Sequence, residues 1–127
     1  MNYSDGPSQR QLRVGEQLRH VISETLQRGH FDDEILLNDA HNVTVSEVRI
    51  SPDLKKATAY VITLGGKDMD TILPALNEAA AYFQKEISHK LTLKFTPRVS
   101  FAVDFSFEEA QRIERILDSL PETKHNG

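Results

Sequence analysis

The chain has 127 residues, 39% of them hydrophobic and 27% charged, with a net charge of −4 and no cysteine. That balance specifies one globular domain with a core of its own and excludes a disordered chain, a disulfide framework, a thiolate metal site and a cysteine nucleophile. A strongly cationic coat for non-specific nucleic-acid binding is excluded too, and no apolar run reaches the ~18 residues of a membrane span.

The opening, MNYSDGPSQRQ, is polar and has no secretory apolar segment. The expected compartment is the reducing cytoplasm, and residues 1–7 are expected to be flexible. Ser8 with Gln11 three positions later has the form of a capping box. Val14, Leu18, Val21, Ile22 and Leu26 follow at helical spacing, with Arg13, Gln17, His20 and Glu24 opposite. Gly29 is placed for a left-handed C-cap. Residues 30–42 read as a connector that carries Asp32, Asp33, Glu34 and Asp39 and is pinned to the core by Ile35, Leu36 and Leu37.

Two strands come next, Val43 to Ile50 and Ala57 to Leu64. Val43 and Val45 alternate, then Val48 and Ile50 alternate with the opposite parity, so a bulge is expected near Ser46-Glu47. Ser51-Pro52-Asp53 has turn chemistry and makes the pair a hairpin. Gly65-Gly66-Lys67 lacks the full phosphate-loop pattern and reads as the hairpin exit.

Met69, Ile72, Leu73, Leu76, Ala80, Phe83 and Ile87 again have helical spacing. Pro74 belongs in a first turn, so the helix is expected from about Thr71 to His89. Pro97 suits the start of a third strand, in which Val99, Phe101 and Val103 alternate. Ser106 with Glu109 reads as a second capping box, opening a helix with the face Ala110, Ile113, Ile116, Leu117 and Leu120. The order predicts an α+β two-layer domain over 8–120, a three-stranded sheet covered by helices, with a flexible tail at 121–127.

Enzyme chemistry finds no support in spacing. The five histidines form no HExxH pair, and the acids at 32–39 do not follow a calcium-loop pattern. Charge placement is more informative. Between residues 81 and 103 stand Lys85, Lys90, Lys94 and Arg98 against Glu86 alone, a local +3 in a chain of −4. A solvated helix face with a dipole-compensating lysine is one reading. A phosphate-contacting edge is the other, widened by Arg10, Arg13, Lys55 and Lys56.

The run Val43-Thr-Val-Ser-Glu-Val-Arg-Ile-Ser-Pro-Asp-Leu-Lys-Lys-Ala-Thr-Ala-Tyr-Val61 resembles the hairpin signature of the ribosome-binding factor A family. Gln9 to Leu18, Leu76 to Phe83 and Leu91 to Phe101 are similar to that family's first helix, helix-kink-helix and third-strand approach, so the resemblance spans about residues 8–119. It implies a type II KH-like fold, α-β-β-α-kink-α-β. It also implies a monomer in the cytoplasm, without cofactor or catalytic activity, that binds free, immature small ribosomal subunits and their RNA. The implied role is 5′-end processing of the rRNA precursor and late maturation, with growth in the cold depending on it. Docking on a ribosomal protein or a maturation GTPase without RNA contact is the rival reading. The family's kink is Ala-x-Gly; here the positions are Ala79, Ala80 and Ala81, with alanine in place of the glycine. Three alanines favour helix, and the apolar stripe runs through without a phase jump. A continuous helix with at most a modest bend near Ala81 is therefore expected.

Overall fold

The computed structural model describes residues 6–120, and only the backbone of residues 107–111 within the last helix. The expectations for residues 1–5 and 121–127 lie outside the described residues. Helix α1 spans Gln9–Arg28 and opens on the expected capping box, with Gln11 N–H donating to Ser8 Oγ at 3.1 Å and Ser8 N–H donating to Gln11 Oε1 at 2.9 Å. Its five expected stripe residues are all buried. Gly29 ends it in extended, not left-handed, backbone (φ −69°, ψ 161°). The need for glycine there is tertiary: a Cβ would stand 2.5 Å from Thr25 O and 3.0 Å from the Tyr82 hydroxyl.

The connector is not structureless. It folds into a short helix, α2 (Glu34–Asp39), whose first turn is capped by Asp33 accepting from Leu36 N–H, followed by a 3-10 turn at Ala40–Asn42. Only Leu36 of the three expected anchors is buried; Leu37 is 63% exposed.

Strands β1 (Thr44–Ile50) and β2 (Lys56–Ile62) pair antiparallel. The expected bulge is present: Val45 faces Val61 and Glu47 faces Tyr60, which leaves Ser46 as the extra residue. Both halves of β1 thereby keep their apolar residues on the inner face. Strand β3 (Arg98–Val103) pairs parallel to β2, giving the order β1-β2-β3. Val45, Ile50, Ala57, Ala59, Val61, Val99 and Phe101 line the inner face. The fully buried Leu18, Ile22, Ile72, Leu76, Phe83 and Ile87 cover it from the helices. Each such side chain contributes roughly 1.5–3 kcal/mol by leaving water. The outer face carries Arg49, Lys56, Thr58, Arg98 and Ser100, exposed or half-buried.

The helical segment after the hairpin departs from expectation twice. It starts at Met69, after Asp68 at φ 60°, so Pro74 lies in the second turn. It is also not continuous: α3 (Met69–Glu78) ends at Ala79, whose φ and ψ of −92° and 12° are not helical, and α4 (Ala80–Lys90) begins anew. Long-range bonds hold both halves. The Asn77 side chain bonds both backbone groups of Phe101, accepting at 2.8 Å and donating at 3.1 Å. Gln84 accepts from Val99 N–H at 2.8 Å. Each half-helix thus satisfies a stretch of the outer edge of β3.

Helix α5 (Ser106–Ser119) also departs from expectation. Ser106 is its first residue rather than its cap. Asp104 serves that end instead, accepting from Ser106 N–H at 2.8 Å and Ser106 Oγ at 2.6 Å, and from the bulge residue Ser46 Oγ at 2.5 Å. The expected inner face is not covered: Ile113, Ile116, Leu117 and Leu120 are 45–56% exposed. The inner side of the sheet is already filled by α1, α3 and α4, and the outer side is polar.

Gly15 sits where a Cβ would stand 2.7 Å from Val48 O, so α1 lies directly on β1. Gly15→Ala improves helix propensity by about 1 kcal/mol yet should lower stability by a net 1–3 kcal/mol or so through forced separation, read by denaturant melts. The hydroxyls of Ser106 and Ser46 and the Ser106 N–H hold the Asp104 carboxyl below its usual range. Its contribution is therefore complete above the ordinary carboxylate value and is lost as pH falls through the lowered folded-state value. Asp104→Ala should cost about 1 kcal/mol at neutral pH, and that difference should vanish in acid melts at the bottom of the pH range.

Candidate nucleic-acid interface

The Tyr82 hydroxyl accepts from His30 N–H at 2.9 Å, which fixes the start of α4 to the end of α1. Phe31 packs edge-on to Tyr82 with ring centroids 5.2 Å apart. From there α4 runs back along α1. Lys90, at the end of α4, reaches Glu24, and the loop after α4 arrives at the first turns of α1. There Arg10, Val14, Pro52, Asp53, Leu54, Leu93, Lys94, Phe95 and Pro97 line one cavity of about 210 Å³.

The hairpin turn adds its cations at this same end. Arg98 N–H donates to Lys55 O at 2.8 Å, and Lys56 pairs with Arg98 across β2 and β3. In a sheet, paired residues project from the same face. Arg10, Lys55, Lys56, Lys94 and Arg98 thus come from four separate stretches to one end of the domain, and all five are exposed. The first turn of α1 carries no acid, so its positive end adds to the same field. An acid among the described residues at this end is Asp53, which accepts from Ser51 Oγ at 2.6 Å and Lys55 N–H at 3.0 Å. Those bonds hold the turn and keep its carboxyl below the usual range.

The other three predicted cations differ. Arg13 is exposed one turn further along α1. Lys85 is exposed in the middle of α4, away from this end. Lys90 is engaged with two carboxylates, Glu24 at 3.2 Å and Glu86 at 3.8 Å, so its charge is largely spoken for. Sequence reasoning passes over Phe95. It is 60% exposed, and the Lys94 ammonium lies 5.7 Å from its ring centroid. An aromatic beside a lysine in a proline-ended connector is the available signal.

The kink segment is not part of this cluster. Ala79 lies at the opposite end of α1, in a pocket shared with Asp32, Asp33 and Glu78. Those carboxylates, with His30 beside them, set this pocket apart from the cationic end. A further groove of about 700 Å³ between α1 and β1 holds charges already paired within the chain, Glu16 with Arg19 and Glu47 with Arg49. Among the described residues, no group of three or more His, Asp or Glu side chains is placed to hold a metal ion, and no helix is long and apolar enough to cross a membrane.

A family model described as ribosome-binding factor A matches residues 10–117. The chain belongs to the ribosome-binding factor A family. A member of that name from Afipia carboxidovorans is 47% identical over 114 residues, which is 90% of this chain and 79% of its own length. The crystal structure of ribosome-binding factor A from Thermus thermophilus superposes with a TM-score of 0.60 at 22% identity, covering 73% of this chain and 94% of that one. A homology model of the Thermus thermophilus factor, fitted into the cryo-EM map of a 30S complex, superposes with a TM-score of 0.57 at 20% identity, covering 75% and 96%. The shared fold is KH-like, and here its helix-kink-helix is made without glycine. Ala79 turns the chain in backbone that alanine tolerates, and neither Ala80 nor Ala81 has a positive φ.

That geometry fixes what a restored glycine would do. Ala81 stands in the first turn of α4, so Ala81→Gly should cost about 0.5–1 kcal/mol by loosening a helical residue. The melting temperature should fall by a few degrees; a rise would mean that the position needs a left-handed residue.

Proposed function

We propose that the protein is an assembly factor of the small ribosomal subunit that binds free, immature subunits through their rRNA. In this reading it supports 5′-end processing of the precursor and late maturation in the cytoplasm, acts as a monomer and catalyses nothing itself. Arg10, Lys55, Lys56, Lys94 and Arg98 contact phosphates; Arg13 and Lys85 lie at the margin, and Lys90 serves chiefly the packing of α4 on α1. The observation that carries the reading is the gathering of five exposed cations from four chain segments at one end of a −4 chain. Family membership and the 30S complex of a relative of the same fold support the choice of partner. With little long-range attraction, affinity rests on local phosphate contacts and on fit to the shape of one RNA site.

One observation favours the rival, a protein-docking module: the exposed apolar face of α5 at Ile113, Ile116 and Leu117. Such binding would survive nuclease treatment and vary little with salt.

Gradient co-sedimentation separates the two. The protein should travel with free small subunits in preference to full ribosomes, and its loss should leave precursor rRNA accumulating during growth in the cold. Replacing Arg10, Lys94 and Arg98 together with Glu should weaken subunit binding and lower the slope of log K against log salt by roughly 2, at about 0.7–0.9 per lost phosphate contact. The variant should stay folded, since the three side chains are exposed. Unchanged affinity in a folded triple variant would remove these cations from the interface.

A further inference from the structure

Phe95 is one of two phenylalanines exposed among the described residues, Phe105 being the other, and of the two it is the one that borders a cavity. Phe31, Phe83 and Phe101 are each less than 9% exposed, whereas Phe95 is 60% exposed. It is also held in place. Leu91 N–H bonds Ile87 O at 2.9 Å before it, Leu93 packs partly on the core, and Pro97 is fully buried after it. The ring is therefore presented by a short segment tied down at both ends.

A second residue of the cavity lining is strained. Leu54 has φ 63°, a conformation that L-residues other than Asn and Asp seldom adopt, and it borders the same cavity. Strain of this kind persists where surrounding structure imposes it and gathers at binding sites. The cavity, about 210 Å³, is smaller than the ~300–1,000 Å³ typical of metabolite pockets. Val14, Leu54, Leu93 and Pro97 give it an apolar lining, and its charged residues are Arg10 and Lys94 with one acid, Asp53, which is bonded to Ser51 Oγ and Lys55 N–H in the hairpin turn.

We infer that this cavity receives a single unstacked base of single-stranded RNA, with Phe95 as the stacking surface and Arg10 and Lys94 on the neighbouring phosphates. The inference rests on the rRNA-binding reading above and sharpens it: the target is an unpaired stretch rather than a duplex. Bases in a duplex keep their faces covered, while unpaired bases splay onto aromatic rings. Lys94 already lies near the ring face. A base that takes that face moves the ammonium outward to the phosphate joined to it. An acidic peptide would find the same cations but would leave the aromatic ring without a planar partner.

The chain has no tryptophan, so Phe95→Trp installs a single fluorescent reporter. A single-stranded hexaadenylate should quench it. A hexamer of the same backbone with abasic sugars, and a duplex of the same length, should not. Phe95→Ala and Phe95→Leu should each weaken binding of the hexaadenylate roughly tenfold, the loss expected from one stacked base. The salt slope and the melting temperature should stay unchanged, because no phosphate contact and no core residue is lost. Arg10→Glu with Lys94→Glu should instead flatten the slope. Equal quenching by the abasic or duplex probe would overturn the stacking site, as would wild-type affinity in both Phe95 variants. In either case small-subunit binding that is lost only in the charge-reversal variants would leave the rRNA reading standing. Subunit binding that survives nuclease and all of these substitutions would remove both.

Discussion

The arrangement depends on the turn at Ala79. Helix α3 packs against β3, whereas α4, re-aimed at the turn, packs against both β3 and α1. The Asn77 half satisfies Phe101, the Gln84 half satisfies Val99, and Tyr82 anchors the second half to the end of α1. Only because α4 then retraces α1 does the following loop reach Arg10. The cationic end of the domain is thus a product of a bend at the far end.

The same geometry sorts charge. Asp32, Asp33 and Glu78 gather around the C-terminal end of α1, and Arg10, Lys94, Lys55, Lys56 and Arg98 around its N-terminal end. Twenty residues of helix separate the two groups, roughly 30 Å at 1.5 Å per residue. The backbone dipole of α1 points in the same sense. A molecule with small net charge and a large charge separation gains little from overall attraction to a polyanion and much from alignment in its field.

What the sequence reveals and what it conceals divide along the range of the interactions. The capping box at Ser8, the core stripe of α1 and the bulge at Ser46 are set by neighbours in the chain, so periodicity and spacing expose them. The stripe of Leu76, Phe83 and Ile87 is equally real, and all three are buried, but it is blind to the break between them, because one non-helical residue at Ala79 leaves all three on the core side. Gly29 does stand at a helix end, yet its constraint is Tyr82 rather than a left-handed φ. Pro74 in a second turn and Ser106 as the first residue of α5, bonded by Asp104, rather than as its cap differ from expectation by one or two residues of local hydrogen bonding. Of the candidate cations, spacing can nominate each one but cannot assemble them. Their assembly requires the course of α4, and the pairing of Lys90 with Glu24 requires it too.

The two margins of the sheet are treated differently. Asn77 and Gln84 occupy hydrogen-bonding groups along β3, so that side offers a poor template to another strand. Along β1, Ser46 interrupts the regularity of the edge, and the side chain of Gln11 takes up the carbonyl of Ile50 at 2.9 Å. A foreign strand laid there would find its register broken after about two residues. The bulge that keeps Val45 and Ile50 on the inner face therefore also limits open-ended aggregation. Deleting Ser46 would leave β1 with the same inner residues in regular alternation and with a longer unbroken edge, so the price of a simpler strand would be solubility.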